Sequence, residues 1–149
     1  MSKPLNSEHV GFDVTLQVKN ACLCLHVQRA ARSLARLFDE AFRPVGLTNG
    51  QFSMLMSLNR PVPARMREVA ALLAMDRTTL TAALKTLERR GLLNVRTDPD
   101  DRRGKLLTLT DEGRETLVRA LPIWRDTHAA LEAGIDDADG LRAALLAIS

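Results

Sequence analysis

The spacing of apolar residues along the 149-residue chain predicts a protein made mainly of α-helices. From residue 14 to residue 42, apolar side chains recur at steps of three and four and so share one face of a long helix. The residues of this stripe are Leu23, Val27, Ala30, Leu34, Leu37 and Ala41. Residues 1 to about 13 lack this pattern, and we expect them to form a mobile arm.

Five shorter helical patterns follow, and several begin at residues that favour helix N-termini. Thr48, Asp76 and Thr110 are predicted N-caps of the second, fourth and fifth helices, and Gly91 is predicted to end the fourth. The second helix is expected to pack through Phe52, Leu55, Met56 and Leu58. The last, at about residues 137–148, is expected to bury Leu141, Leu145 and Ile148.

The helical periodicity is replaced by alternation at residues 92–110. The segments LLNVRT and KLLTLT alternate between apolar and polar residues and flank a turn from Asp98 to Gly104. This pattern is typical of two paired strands. The predicted fold is therefore mainly α, with a small two-stranded β hairpin.

Composition indicates an ordinary globular chain, with 46% hydrophobic and 26% charged residues. No apolar stretch approaches the roughly 20 residues that cross a bilayer, and the N-terminus does not resemble a signal peptide. We expect a cytoplasmic protein with no membrane partner, in which Cys22 and Cys24 are reduced.

Positive charge is concentrated in the middle of the chain. Residues 60–105 hold eleven Lys and Arg against six acids, a net charge of +5, whereas the remaining residues carry −2. This separation favours a nucleic-acid-binding module with flanks that serve another purpose.

The third and fourth helices, joined by a short turn, form a candidate helix-turn-helix. In such a pair the second helix lies in the major groove with its N-terminal side chains against base edges. With its leucines buried, this helix is expected to expose Arg77, Thr78, Thr79, Thr81, Ala82 and Lys85. Threonines can bind phosphates or bases, and the two cations attract phosphate. A solvated surface face is the alternative interpretation.

The hairpin that follows is predicted to be a wing. Arg102 and Arg103 lie at its tip, and an arginine there can enter the minor groove, where negative potential is high. We expect the Asp101 carboxylate to orient the Arg103 guanidinium by a charge-assisted hydrogen bond. An ordinary charged β-turn is the alternative.

The chain resembles the MarR family of winged helix-turn-helix regulators from about Val18 to its end. The pattern L-E-x-x-G-L is present as Leu87, Glu88, Gly91 and Leu92. The pattern D-x-R is present as Asp101 and Arg103, and L-T-x-x-G as Leu109, Thr110 and Gly113.

This resemblance implies a homodimer that binds double-stranded DNA at a palindromic operator, most often as a repressor. It implies that residues 1–47 and 111–149 interleave between subunits and that residues 48–110 bind DNA. Arg103 would enter the minor groove and Arg102 would contact phosphate. Family members release DNA when a small aromatic compound binds or a cysteine is oxidised.

Cys22 corresponds to the reactive cysteine of the family's organic-hydroperoxide sensors, although this chain lacks the tyrosines that assist it there. His26, four residues on, is a candidate to stabilise the thiolate. On one continuous helix Cys22 and Cys24 would point to different sides and would not pair with each other. Burial of both as inert apolar residues is the alternative.

Two other classes of function fit the sequence less well. A thiol peroxidase using Cys22 lacks partner residues, so we expect no enzymatic activity. His9, His26 and His128 are too dispersed for a zinc site, and we expect no cofactor. A winged-helix adapter for protein or RNA is the third hypothesis, and the Thr/Arg face and Arg103 favour DNA over it.

Overall fold

The computed structural model describes residues 10–149, and these residues divide into two compact units, before and after the junction of Arg36 and Leu37. Residues 1–9, with His9 and most of the predicted arm, lie outside the described residues. The helices are α1 (Phe12–Ala21), α2 (Leu23–Phe42), α3 (Asn49–Ser57), α4 (Met66–Leu72), α5 (Arg77–Arg89), α6 (Asp111–Glu132) and α7 (Ala138–Leu146). The strands are β1 (Ala64–Arg65), β2 (Leu93–Thr97) and β3 (Lys105–Leu109). The predicted fold class is confirmed.

The first unit corrects the prediction of one continuous helix from residue 14 to residue 42. Its helix α1 ends at Ala21, and Cys22 has extended backbone angles, φ −71° and ψ 109°, before α2 begins. The apolar residues of this unit remain accessible in the single chain, including Leu23, Val27 and Leu34. The predicted stripe is therefore present but not covered.

The core of the second unit lies between α3, α4, α5 and the sheet. Its largest fully buried side chains are Phe42, Leu55, Leu80, Leu84, Leu87, Leu93, Leu107 and Val69. The Phe42 and Phe52 rings stack with centroids 4.6 Å apart. Met56 was expected to pack inward, but it faces outward and is 38% exposed, because the helix turns its face away from the core at that position.

The predicted N-caps are confirmed. The Thr48 hydroxyl accepts the Gln51 backbone N–H at 3.2 Å, and Oε1 of Gln51 accepts the Thr48 backbone N–H at 3.0 Å. The Thr110 hydroxyl accepts the Gly113 N–H at 3.0 Å. Gly91 ends α5 with φ +73°, a left-handed conformation that glycine adopts without strain.

The predicted hairpin is present, but it belongs to a three-stranded antiparallel sheet in the order β1-β3-β2. Leu93 pairs with Leu109 and Val95 with Leu107 across the hairpin. The third strand, β1, contains only Ala64 and Arg65, which is too short for alternation to be detected in sequence. It delays the start of the third predicted helix to Met66.

The last helix, α7, is shorter than predicted, and its apolar residues are not buried in the single chain. Leu141 is 46% exposed, Leu145 41% and Ile148 64%. Arg142 of α7 forms ion pairs with Glu132 of α6 and with Asp139. The predicted burial of these three residues is wrong for one chain, because no element of the unit covers that face. Among the described helices, none is long and apolar enough to span a membrane.

Candidate nucleic-acid interface

Helix α5 carries six of the nine predicted DNA-binding residues, and the fold places them on the face opposite its buried leucines. Leu80, Leu84 and Leu87 are buried, which rotates the opposite face outward. Five predicted residues are exposed, namely Arg77, Thr78, Thr79, Ala82 and Lys85. Thr81 is half-buried. The turn between α4 and α5 contains Ala74, whose backbone is left-handed with φ +51°.

Hydrogen bonds fix the start of α5 in place. The Asp76 carboxylate accepts the Thr79 backbone N–H at 2.8 Å and the Thr79 hydroxyl at 2.6 Å. These bonds, the hydroxyl first, hold the pKa of Asp76 below its ordinary value. The Thr81 hydroxyl donates to the Arg77 carbonyl at 2.7 Å. The hydroxyl protons of Thr79 and Thr81 are therefore engaged within the helix, and their methyl groups remain available for contacts.

The wing tip is a closed, hydrogen-bonded turn that exposes Asp101, Arg102 and Arg103. The Asp98 N–H donates to the Gly104 carbonyl at 3.0 Å, and the Gly104 N–H donates to the Asp101 carbonyl at 2.8 Å. These bonds hold both ends of the tip together.

The role of Asp101 differs from the prediction. Its Oδ1 accepts the backbone N–H of Arg103 at 3.0 Å. Within residues 10–149 the structure has no ion pair between the Asp101 carboxylate and the Arg103 guanidinium. The two residues are separated by one position in a tight turn, so the nearer backbone donor captures the carboxylate. Asp101 thus shapes the backbone that presents Arg103.

Two residues at the base of the wing were not identified from the sequence. The Asp98 side chain is 5% exposed, and its Oδ2 lies 3.8 Å from Nε of Arg65 in β1. Its Oδ1 accepts the Asp100 N–H at 2.9 Å. The sequence shows an aspartate at the start of the predicted turn, but its partner lies 33 positions earlier in the chain, so no local pattern links the two residues.

The start of α5 and the wing tip are joined directly. Nη2 of Arg77 donates to the backbone carbonyl of Arg103 at 2.9 Å. A recess of about 300 Å³ lies beside this link, and its lining includes Arg65, Arg67 and Lys105. The structure therefore brings the predicted helix face and the predicted wing into one basic surface.

The two cysteines belong to the first unit. Cys22 is half-buried and Cys24 exposed. The Cys22 Sγ accepts the Leu25 N–H at 3.4 Å, and the Cys24 Sγ accepts from Nε2 of Gln28 at 3.1 Å. The premise that both thiols share one helix is wrong, because Cys22 lies in the break before α2.

His26 does not take the position proposed for it. Its ring Nδ1 donates to the carbonyl oxygen of Cys22 at 2.7 Å, whereas the thiol receives a backbone N–H. The ring therefore stabilises the backbone at the helix break rather than the thiol. Over residues 10–149 we find no cluster of three or more His, Cys, Asp or Glu arranged to hold a metal ion.

The second unit has another concave surface, formed by residues of α3, α4 and α6. This groove, of about 360 Å³, is lined by Phe52, Ser53, Met56, Ser57, Leu72, Leu121 and Trp124. The Trp124 ring stacks on His128 with centroids 4.7 Å apart. The groove is mostly apolar and partly aromatic, which suits a flat apolar ligand.

A helix-turn-helix followed by a β hairpin defines the winged-helix class. The MarR family model matches residues 47–105, which include α3 to the start of β3. The chain is 31% identical over 96 residues to the HTH-type transcriptional regulator YwoH of Bacillus subtilis, covering 64% of this chain and 69% of YwoH. The chain belongs to the MarR family of transcriptional regulators, and the predicted family is confirmed.

Solved structures agree with this assignment. The M. tuberculosis transcriptional regulator MosR in complex with DNA is 38% identical, with a TM-score of 0.79 over 85% of this chain and 92% of that one. The repressor CouR bound to a 23-mer DNA duplex is 33% identical, with a TM-score of 0.71 over 88% and 92%. CouR from Rhodococcus jostii RHA1 bound to p-coumaroyl-CoA is 27% identical, with a TM-score of 0.74 over 87% and 92%.

Proposed function

We propose that this protein is a sequence-specific transcriptional regulator, acting as a repressor, that binds a palindromic DNA operator as a homodimer. One observation carries this proposal: the Arg77 link joins the exposed start of α5 to the wing tip, so both belong to one basic surface. The DNA-bound structures of MosR and CouR support it by similarity. Residues 48–110 form the DNA-binding module in this proposal.

The two parts of the surface suit the two grooves. The major groove, about 12 Å wide, admits α5 with Thr78 and Ala82 toward the bases and Lys85 toward phosphate. The wing tip is slender enough for the minor groove, about 6 Å wide, where Arg103 meets strong negative potential. Arg102 lies beside it and contacts phosphate.

We propose that the terminal segments, residues 1–47 and 111–149, form the dimer, because the apolar faces of residues 10–47 and of residues 111–149 are uncovered in the single chain. Leu23 in the first unit and Leu146 in the second are 73% and 74% exposed in the single chain. Exposed apolar patches on a globular chain mark interaction surfaces. A two-fold dimer would place two modules on half-sites about 34–36 Å apart along the DNA axis.

Fluorescence anisotropy with duplex DNA from the promoter beside this gene tests the proposed interface. Arg103→Ala should weaken binding by about 1–3 kcal/mol, because it removes a groove contact. Arg89→Ala, at the far end of α5, is the matched control and should bind like the wild type. Equal affinity of Arg103→Ala and the wild type would refute the minor-groove role.

We further propose that a small aromatic ligand controls DNA release by binding the groove at Trp124. The apolar lining and its volume of about 360 Å³ favour such a ligand, and CouR binds an aromatic acyl-CoA. A thermal-shift screen of small aromatic acids tests this idea. Hits that lose their stabilising effect in Trp124→Ala support it, and hits unaffected by that change contradict it.

Oxidation of Cys22 is the second proposed route of release. The observation that favours it is the position of the Cys22 Sγ at the start of the 20-residue helix α2, where it accepts the Leu25 N–H. A helix N-terminus stabilises a thiolate. Treatment with an organic hydroperoxide should release DNA from the wild type and from Cys24→Ser but not from Cys22→Ser. Equal release from all three proteins would remove Cys22 from the mechanism.

A further inference from the structure

We propose that Arg77 is a positioning residue, which holds the wing tip against the first turn of α5 instead of contacting DNA as the sequence suggests. This inference rests on the proposed DNA-binding function and assigns one residue of that interface a separate role. It predicts that Arg77 affects affinity through Arg103.

The Arg77 side chain is hydrogen-bonded within the protein rather than free to contact DNA. Nη2 donates to the Arg103 carbonyl at 2.9 Å across 26 positions of sequence. The backbone at the other end of the side chain is equally fixed, because the Arg77 carbonyl accepts the Thr81 hydroxyl at 2.7 Å. Lys85, the other cation on this face, has no such partner among the hydrogen bonds of residues 10–149.

The wing tip has little else to hold it at this position. The recess of about 300 Å³ is lined by Arg103 and Gly104 of the tip and by Met66 and Ala70 of α4. Packing therefore does not fix the tip there. At the base of the wing, Nε of Arg65 lies 3.8 Å from Oδ2 of the buried Asp98. One arginine, Arg65, therefore contacts the base of the wing, and another, Arg77, contacts its tip.

A hydrogen bond to the Arg103 carbonyl also restricts the direction of the Arg103 side chain. Asp101 binds the N–H of Arg103 and Arg77 binds its C=O, so both peptide groups that flank the Cα are fixed. The direction of the Cα–Cβ bond then follows from the backbone. A preorganised arginine loses less conformational freedom when it enters a groove.

Hydrogen exchange of the free, full-length protein tests the link without DNA. In Arg77→Met, the amides of residues 100–104 should exchange faster than in the wild type, because the tip loses its hydrogen bond to α5. Lys85→Met removes the same charge from the same helix and should leave these amides unchanged. Exchange at the tip that is identical in all three proteins would overturn the proposal.

The salt dependence of DNA binding separates positioning from phosphate contact. A lost phosphate contact lowers the slope of log affinity against log salt concentration by about 1. Lys85→Met should therefore show a lower slope between about 50 and 200 mM salt. Arg77→Met should bind about tenfold more weakly with the wild-type slope. A reduced slope in Arg77→Met would make it a phosphate contact and overturn the proposal.

A double variant completes the test. If Arg77 acts by placing Arg103, then Arg77→Met adds little to the loss already caused by Arg103→Ala, because the placed side chain is gone. Independent, additive losses would contradict the proposal. If the wild type does not bind the promoter duplex, the proposed function fails, and hydrogen exchange still decides the role of Arg77.

Discussion

At the scale of single residues, local polar contacts were predictable and distant ones were not. The caps at Thr48, Asp76 and Thr110 involve partners three residues away, so their sequence spacing reveals them. The pairs Arg65–Asp98 and Arg77–Arg103 depend on how β1, α5 and the wing pack together. Sequence showed that the charged residues were present, and only the fold showed which pairs they form.

Asp76 predicts a pH dependence of stability. Its pKa in the folded protein lies below the ordinary value of 3.8, first through the Thr79 hydroxyl and then through the Thr79 N–H. The folded pKa is depressed, so the stabilisation is fully present above the unfolded pKa and is lost as the pH falls through the folded pKa.

Comparison of the wild type with Asp76→Asn measures this contribution. Asparagine keeps a capping oxygen without the charge, so the difference in unfolding free energy should be constant above pH of about 5 and should shrink below the ordinary Asp pKa. Urea unfolding across this pH range checks it. A difference that persists unchanged at low pH would show that the charge of Asp76 does not stabilise the helix.

At the scale of elements, periodicity predicted the helices and the hairpin, and it failed where an element is a single residue or two long. The break at Cys22 lies within a region whose apolar spacing continues on both sides. The strand β1 has only two residues. Both depend on tertiary contacts or on backbone angles that leave no repeating pattern.

The junction between the hairpin and α6 explains Gly113 of the L-T-x-x-G pattern. A Cβ at Gly113 would overlap the Leu92 carbonyl oxygen, which also accepts the Thr110 N–H at 3.2 Å. The Thr110 hydroxyl in turn donates to the Gly91 carbonyl at 2.6 Å. Only glycine allows α6 to begin this close to the end of α5.

Gly113→Ala should therefore destabilise the protein by about 1–3 kcal/mol, because the overlap involves backbone that must shift. Gly50→Ala is the matched control. A Cβ at Gly50, in α3, meets no atom within 4 Å, so that change should be neutral or should stabilise by about 0.5–1 kcal/mol. Chemical denaturation of both variants checks this, and equal stabilities would contradict the close approach.

At the scale of the whole molecule, the sequence indicated more apolar surface than one chain buries. The stripe of α2 and the face of α7 were identified correctly as apolar, yet Leu37, Leu141 and Leu145 are each more than 40% exposed. The spacing of apolar residues shows that a helix face is apolar. It does not show whether that face is buried within the same chain or against a second chain. A second copy is the occupant that we propose for both faces.

This proposal predicts that charge on α7 separates the subunits. The double change Leu141→Glu and Leu145→Glu should shift the protein from dimer to monomer in sedimentation velocity, because two carboxylates would be buried without partners. Val62→Glu places one such carboxylate at a residue that is 64% exposed in the loop before β1, and it should leave the dimer intact. A double variant that sediments as the wild type does would exclude α7 from the interface.

Hydroxyl-radical footprinting of the promoter duplex tests the DNA-binding arrangement most directly, because it resolves minor-groove protection along the DNA. The wild type should protect two half-sites about one helical turn apart, flanked by protected minor grooves. Arg103→Ala should lose the flanking protection and keep the central pattern at saturating protein. A wild-type footprint without flanking protection, or one that Arg103→Ala leaves unchanged, would contradict the proposed wing contact.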